Sequence, residues 1–253
     1  MDKSPKKEIS FQIYSSGGNL TAIVPGGKYK NLGNTARKIM RADRRIEQVG
    51  FLEAPILPGC DLHLQMMGGE FCGNAARSAA MYIARVKGKK QVRLTVSGFA
   101  LPVAARISSD VVSLNLPAKF LRKIFKVREG WLIDFEGIRF LVCFKKINKH
   151  RIPQIINQYK DNFAAVGVVM LSKIRAGYKI SPWVWVRATK TLIVETACAS
   201  GSLAAAAVLH QMDASKKLYK IKQPSGSWYK VGVIGKLGSI KKFFLSGSVK
   251  IIL

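Results

Sequence analysis

Acidic residues are scarce in this chain: 14 Asp and Glu stand against 42 Lys and Arg, a formal charge of +28 over 253 residues. Histidine occurs three times and cysteine four times. The chain holds no CxxC pair, and its scattered His and Cys offer no ligand pair at zinc spacing, so no metal is expected. Cys60, Cys72, Cys143 and Cys198 are too few for a disulfide framework; free thiols in a reducing cytoplasm are the expectation. No apolar run approaches the roughly 20 residues of a membrane span, so no membrane partner is expected. Residues 1–8 lead directly into a strand-like segment, without the apolar core of a signal peptide.

The positive charge raises nucleic acid as a partner, because a basic surface attracts phosphate. The basic residues are dispersed, however, in pairs such as Lys145-Lys146, Lys216-Lys217 and Lys241-Lys242. There is no zinc finger, no aromatic RNP-type strand and no continuous basic helix. A solvated basic surface that steers anionic ligands is the favoured reading. A non-catalytic nucleic-acid-binding protein is the alternative, and it predicts steeply salt-dependent binding.

What is present is a pair of matching cysteine segments. Gly68-Gly69-Glu70-Phe71-Cys72-Gly73-Asn74-Ala75-Ala76-Arg77-Ser78 and Glu195-Thr196-Ala197-Cys198-Ala199-Ser200-Gly201-Ser202-Leu203-Ala204 each open a helical pattern rich in small residues. The two cysteines are 126 residues apart, about half the chain. The flanking elements repeat as well. Strand patterns over 9–14 and 20–24, with a turn over 15–19, match strands over 131–135 and 138–144 around Glu136-Gly137. Helices over 34–41 and 152–159 follow, then apolar strands over 48–52 and 164–171. After the cysteine helices (75–86 and 203–212) come strands over 92–96 and 218–221, Ser-Gly turns, and closing strands over 111–116 and 249–253. This order implies an α/β (α+β) chain of two similar halves. Residues 1–117 form the first, completed by the last strand over 243–253, and residues 118–242 form the second.

A cysteine at the head of a helix meets unpaired backbone N–H groups and the positive end of the helix dipole. That environment lowers a thiol pKa from about 8.5 toward neutrality. The same N–H groups hold a carboxylate, and a small residue after the cysteine lets the ligand approach. Two such helices facing each other would cradle one carboxylate with a thiol on either side of the attached α-carbon. One thiolate would remove the α-proton while the opposite thiol returned another. This two-base inversion needs neither metal nor pyridoxal phosphate, so no cofactor is expected. Cys60 and Cys143 open no such segment and read as small buried hydrophobes. His63 and His210 read as packing residues.

Cys72-Gly73-Asn74-Ala75-Ala76-Arg77 resembles the CGNxxR element of the diaminopimelate epimerase family, and Ala197-Cys198-Ala199-Ser200-Gly201-Ser202 is similar to that family's second cysteine element. Gly17-Gly18-Asn19 resembles its Gly-Asn turn. The resemblance implies a pseudosymmetric fold in which each half is a mixed sheet or barrel around a central helix, with the active site in the cleft between. It further implies that Cys72 and Cys198 are the bases, that Asn19 contacts substrate, and that Gly73, Asn74, Gly201 and Ser202, with Ala199 and Ser200 beside them, hold the carboxylate. The elements that read the far end of diaminopimelate are altered: Val186 precedes Arg187 where an acid is expected, and Gly137-Ile138-Arg139 replaces an Asn-Pro-His element. The Met66-Met67-Gly68-Gly69 approach and the Cys-x-Ser-Gly-Ser motif look more like the histidine racemases that feed opine-type metallophore synthesis. A histidine racemase is therefore the expectation, with diaminopimelate epimerase as the alternative. The phenazine-pathway isomerases of this fold lack the twin cysteines. Glu195 reads equally as a partner for the substrate ammonium or as an acid complementing the helix dipole; Arg139 reads as a site contact or a surface strand residue. An amino acid is the expected small-molecule partner, and a homodimer is left open.

Overall fold

The turn between the first two strands sets the pattern of the chain. Gly17 and Gly18 both adopt positive φ, +62° and +105°, as a two-residue hairpin loop demands, and Ser16 pairs directly with Asn19. The turn is therefore shorter than the sequence pattern suggests, because only these two residues need the left-handed region. A side chain on either glycine would collide with the second half: a Cβ at Gly18 would lie 2.4 Å from Ser225 Cβ and one at Gly17 2.5 Å from Tyr229 Cε1. The hairpin thus packs its tip against the other half of the molecule.

The structure is a computed structural model that describes residues 9–26, 29, 31–236 and 239–252. Leu253, in the expected final strand, lies outside the described residues. In chain order the elements of the first half are β1 (Gln12–Ser16), β2 (Asn19–Pro25), α1 (Leu32–Ala42), β3 (Ile46–Glu53), β4 (Leu62–Met66), α2 (Gly73–Lys87), β5 (Gln91–Val96), β6 (Phe99–Ser108) and β7 (Val111–Pro117). The second half comprises β8 (Leu121–Val127), β9 (Gly130–Phe135), β10 (Ile138–Cys143), α3 (Ile152–Tyr159), β11 (Ala165–Ile174), β12 (Gly177–Val186), β13 (Thr191–Val194), α4 (Ala199–Met212), β14 (Leu218–Lys222) and β15 (Trp228–Lys236). The last strand, β16 (Ser239–Ile252), belongs to both.

Strands β1 to β7 pair in order, and β16 joins β7 to β1, closing an eight-stranded barrel. Strands β8 to β12, β14 and β15 pair in the same way and meet the other edge of β16. The strand directions repeat. β2/β3 and β4/β5 are parallel pairs bridged by α1 and α2; β10/β11 and β12/β14 are parallel pairs bridged by α3 and α4. Parallel neighbours need a crossover, which is why a helix interrupts the meander at the same two places in each half.

Helix α2 runs through the closed barrel of the first half, and α4 packs inside the curved sheet of the second. Small residues surround them on every side: Ala75, Ala76, Ala79 and Ala80 in α2, and Ala204 to Ala207 in α4, are wholly buried. A helix without a polar face belongs inside a core, and alanine lets the barrel strands close around it. Lys and Arg stay mostly on the outside; of the four ion pairs among the described residues, only Arg139–Asp134 has both side chains largely shielded. No helix among the described residues is long and apolar enough to cross a membrane.

Candidate active site

Cys72 and Cys198 are the N-cap residues of α2 and α4. Both have extended backbones, with φ and ψ of −129° and 111° for Cys72 and −130° and 107° for Cys198. Each sulfur accepts a backbone N–H from its own first turn: Ala75 at 3.4 Å and Gly201 at 3.2 Å. The helix starts abut, since a Cβ on Gly73 would lie 2.9 Å from Ala199 Cβ. Glycine at position 73 is what allows this approach. First-turn N–H groups of Gly73, Asn74, Ala199 and Ser200 have no carbonyl within their helices to donate to.

Both thiols line one cleft between the halves, about 420 Å³ of space with its mouth included. Its polar lining comes from Glu47, Gln48, Glu70, Asn74, Glu195 and Ser200. An apolar wall of Met67, Ile138, Phe140, Val184, Val186 and Ile193 completes it. Three of the chain's 14 acidic residues thus converge on one cavity. Glu47 is tied at both oxygens: Asn19 Nδ2 (2.7 Å) and the Thr196 N–H (3.1 Å) donate to Oε2, and the Thr196 hydroxyl donates to Oε1. Glu70 Oε2 and Glu195 Oε2 are buried with no hydrogen-bond partner among the described residues.

Electrostatics in this cleft overturn one sequence expectation. The helix N–H groups do pull the thiol pKa values down. Burial outweighs them, and Glu195 adds to it at both sulfurs, so both thiols are pushed well above the ordinary thiol value. Burial likewise raises the carboxyls, Glu47 and Glu70 to about 7 and Glu195 to about 8; for Glu195 the neighbouring Glu47 and Glu70 add to the effect. The cause is burial: away from bulk solvent each acid holds its proton more tightly than an exposed carboxyl does. The first-turn N–H bonds to sulfur are the smaller effect here.

The supports around the two thiols differ. The Cys72 thiol donates to Gln48 Oε1 (2.8 Å), while Gln48 Nε2 donates to Asn19 Oδ1 (2.5 Å) and Thr21 Oγ1 (3.2 Å). Asn74 spans the halves: its Nδ2 donates to the Ala197 carbonyl at 2.7 Å, directly before Cys198. Its Oδ1 accepts from Arg77 Nη2 (3.0 Å) and the Tyr229 hydroxyl (2.9 Å). Arg77 is fully buried, lies 4.3 Å from the Tyr229 ring centroid, and leaves Nε and Nη1 without partners. At Cys198 the backbone N–H donates to Gln223 Oε1 (2.9 Å), whose Nε2 donates to Ser202 Oγ (3.0 Å).

Of the residues singled out from sequence, Cys72, Asn74, Glu195, Cys198, Ala199 and Ser200 line the cleft. Gly73 and Gly201 lie beside it, as the helix contact and as the N–H donor to sulfur. Asn19 sits behind Glu47 and Gln48 and reaches the cleft only through them. Ser202 turns away from the cleft, donating to the Cys198 carbonyl at 2.7 Å. Arg139 is a correction. It forms a bidentate pair with Asp134 (2.6 and 2.8 Å) and stacks on Phe163, facing away from the site. Strand alternation explains this, because its neighbours Ile138 and Phe140 take the cleft side of β10. His63 and His210 bond to Thr95 Oγ1 (2.8 Å) and to the Lys216 carbonyl (3.2 Å), away from the cleft. Glu47, Gln48 and the wall residues Phe140, Val184 and Ile193 were not found from sequence, since they reach the site from strands distant in the chain, whereas Met67 belongs to the Met66-Met67-Gly68-Gly69 approach to Cys72.

Similarity to known proteins follows the same lines. A histidine racemase from Fusobacterium nucleatum is 30% identical over 239 residues, covering 86% of this chain and 87% of the relative. A crystal structure of a hydroxyproline epimerase from Agrobacterium vitis, with bound trans-4-hydroxy-L-proline, superposes with a TM-score of 0.65 at 12% identity, over 98% of this chain and 92% of that one. A phenazine biosynthesis protein of the PhzF family from Enterococcus faecalis gives a TM-score of 0.62 at 12% identity over 96% of both chains. At such identities the two solved structures share the fold. The family model described as the histidine racemase CntK N-terminal domain matches residues 8–253, and the chain belongs to that family.

Proposed function

We propose that this protein is a cofactor-independent histidine racemase that inverts the α-carbon between Cys72 and Cys198. One observation carries the reading: both thiols cap helix starts that abut over a single cleft. The free first-turn N–H groups are placed to receive the substrate carboxylate. Glu195, beside the Cys198 thiol, receives the ammonium. With the carboxylate held between the helix starts, one sulfur takes the α-proton and the other returns a proton to the opposite face. Dry surroundings strengthen every such interaction. The thiols hold their protons in the closed site, so one must ionise as substrate enters. Histidine is supported by the family and by the curated relative's name. The same reading takes residues 1–117 with the last strand as one functional unit, residues 118–242 as the other, and the cytoplasm as the place of action.

The test is α-proton exchange in heavy water, followed by NMR, with L- and D-histidine, the other L-amino acids, and meso- and L,L-diaminopimelate. Exchange with histidine that iodoacetamide abolishes is the expected result. Exchange with diaminopimelate alone would transfer the substrate assignment, and exchange with nothing would sink the enzymatic reading.

A further inference from the structure

Two buried carboxyl oxygens in the cleft, Glu70 Oε2 and Glu195 Oε2, have no hydrogen-bond partner among the described residues, yet the substrate's α-ammonium accounts for only one. Glu195 stands three residues before Cys198, at the end of the cleft where the α-carbon is held. Glu70 is 4% exposed and stands two residues before Cys72, against the apolar wall. Its Oε2 occupies space that position 68 leaves by being glycine: a Cβ there would lie 2.6 Å from Glu70 Oε2 and 2.4 Å from Val186 Cγ1. Glu47 shows that the fold satisfies a cleft carboxylate when the protein itself needs it. Leaving Glu70 Oε2 unmatched is costly unless a ligand supplies the donor.

We infer that Glu70 is a specificity-determining residue that accepts a side-chain N–H of the substrate, the imidazole N–H of histidine. This rests on the racemase reading above. The neighbouring surfaces suit that ring: Phe140, Val184 and Val186 offer an apolar wall for its faces, and Glu70 an acceptor at its edge. Proline would bring no side-chain donor to Glu70. Diaminopimelate would bring a second carboxylate together with its ammonium, and no cation among the residues lining the cleft would pair with that carboxylate.

The experiment measures deuterium exchange into L-histidine by wild-type protein, Glu70→Gln and Glu70→Asp, with inhibition by L-phenylalanine and a thermal melt of each. Glu70→Gln is expected to raise the histidine KM about tenfold or more and to lower kcat by less. Glu70→Asp should recover part of the loss, and the phenylalanine inhibition constant should stay within about twofold of wild type, because phenylalanine has no N–H for Glu70 to accept. An unchanged histidine KM in Glu70→Gln overturns the assignment, and so does an equal loss of phenylalanine binding. Absence of histidine exchange in the wild-type protein overturns the racemase reading and this assignment together.

Discussion

The two cysteine elements share a backbone but not a setting. Both thiols cap a helix with nearly identical dihedral angles and draw one N–H from the first turn. Around Cys72 the supports are neutral amides, Gln48 and Asn19, and Asn74 is held by a buried arginine. Around Cys198 a carboxyl stands beside the thiol, and Gln223 holds the backbone instead. The position matching Arg77 in α4 is Leu203, so only one helix carries the cation. The backbone geometry is the same in both elements while the groups around the sulfurs differ, so in the proposed mechanism the two proton transfers start from unlike thiols.

The most direct way to break that comparison is to remove each sulfur in turn. Cys72→Ser and Cys198→Ser should each lower racemisation by about 10²–10⁴-fold. Each variant should still exchange the α-proton of one enantiomer only, and of opposite enantiomers in the two proteins; NMR in heavy water reads this directly. Exchange of the same enantiomer by both variants would refute sulfurs on opposite faces. Next in size is Arg77→Met, which removes a cation with two unpaired nitrogens but loosens Asn74. We expect kcat to fall about 10–100-fold while the melting temperature holds or rises, because a buried unpaired charge costs stability. A large drop in melting temperature would make Arg77 a structural residue.

Smaller effects sharpen the contrast in supports. Gln223→Met orphans the buried Cys198 N–H and should cost about 1–3 kcal/mol in urea unfolding, whereas Gln48→Met orphans a weak thiol donor, leaves Asn19 Oδ1 its bond from the Thr21 hydroxyl, and should cost less. Equal costs would argue that the two supports are equivalent after all. The smallest effect concerns pH. Glu195 is raised from an ordinary carboxyl to about 8, so the folded state binds its proton more tightly than the unfolded chain does. Its contribution is full below about pH 4.5 and is lost as pH rises through about 8. Glu195→Gln, which does not titrate, should therefore gain on wild type by a few °C in melting temperature between pH 5 and 8. A gap that stays constant with pH would show that Glu195 is ionised throughout.

Helix starts and the glycine turn were legible because each depends on neighbours in sequence: α3 occupies the expected residues, and both cysteines sit at N-caps. Strand β8 was not legible, since the adjacent Arg122 and Lys123 are both exposed and break its alternation, whereas β12 and β15 keep theirs, with Lys179 and Lys230 on the solvent face. In the site, residues adjacent to the cysteines were readable, whereas Glu47 and the apolar wall arrive through long-range strand pairing. Arg139 carried its own warning, for Ile138 and Phe140 flank it in a period-two pattern that sends it to the other face.

Strand β16 has a consequence for how the chain comes off the ribosome. The barrel that synthesis begins first is completed last, because β1 and β7 present bare edges until residues near position 249 emerge. Until then Cys72 sits in an unclosed shell, and bare strand edges invite pairing with other chains. The first barrel therefore cannot close before β16 is made, and deleting residues 244–253 should leave an aggregating chain with two damaged halves instead of one shortened enzyme.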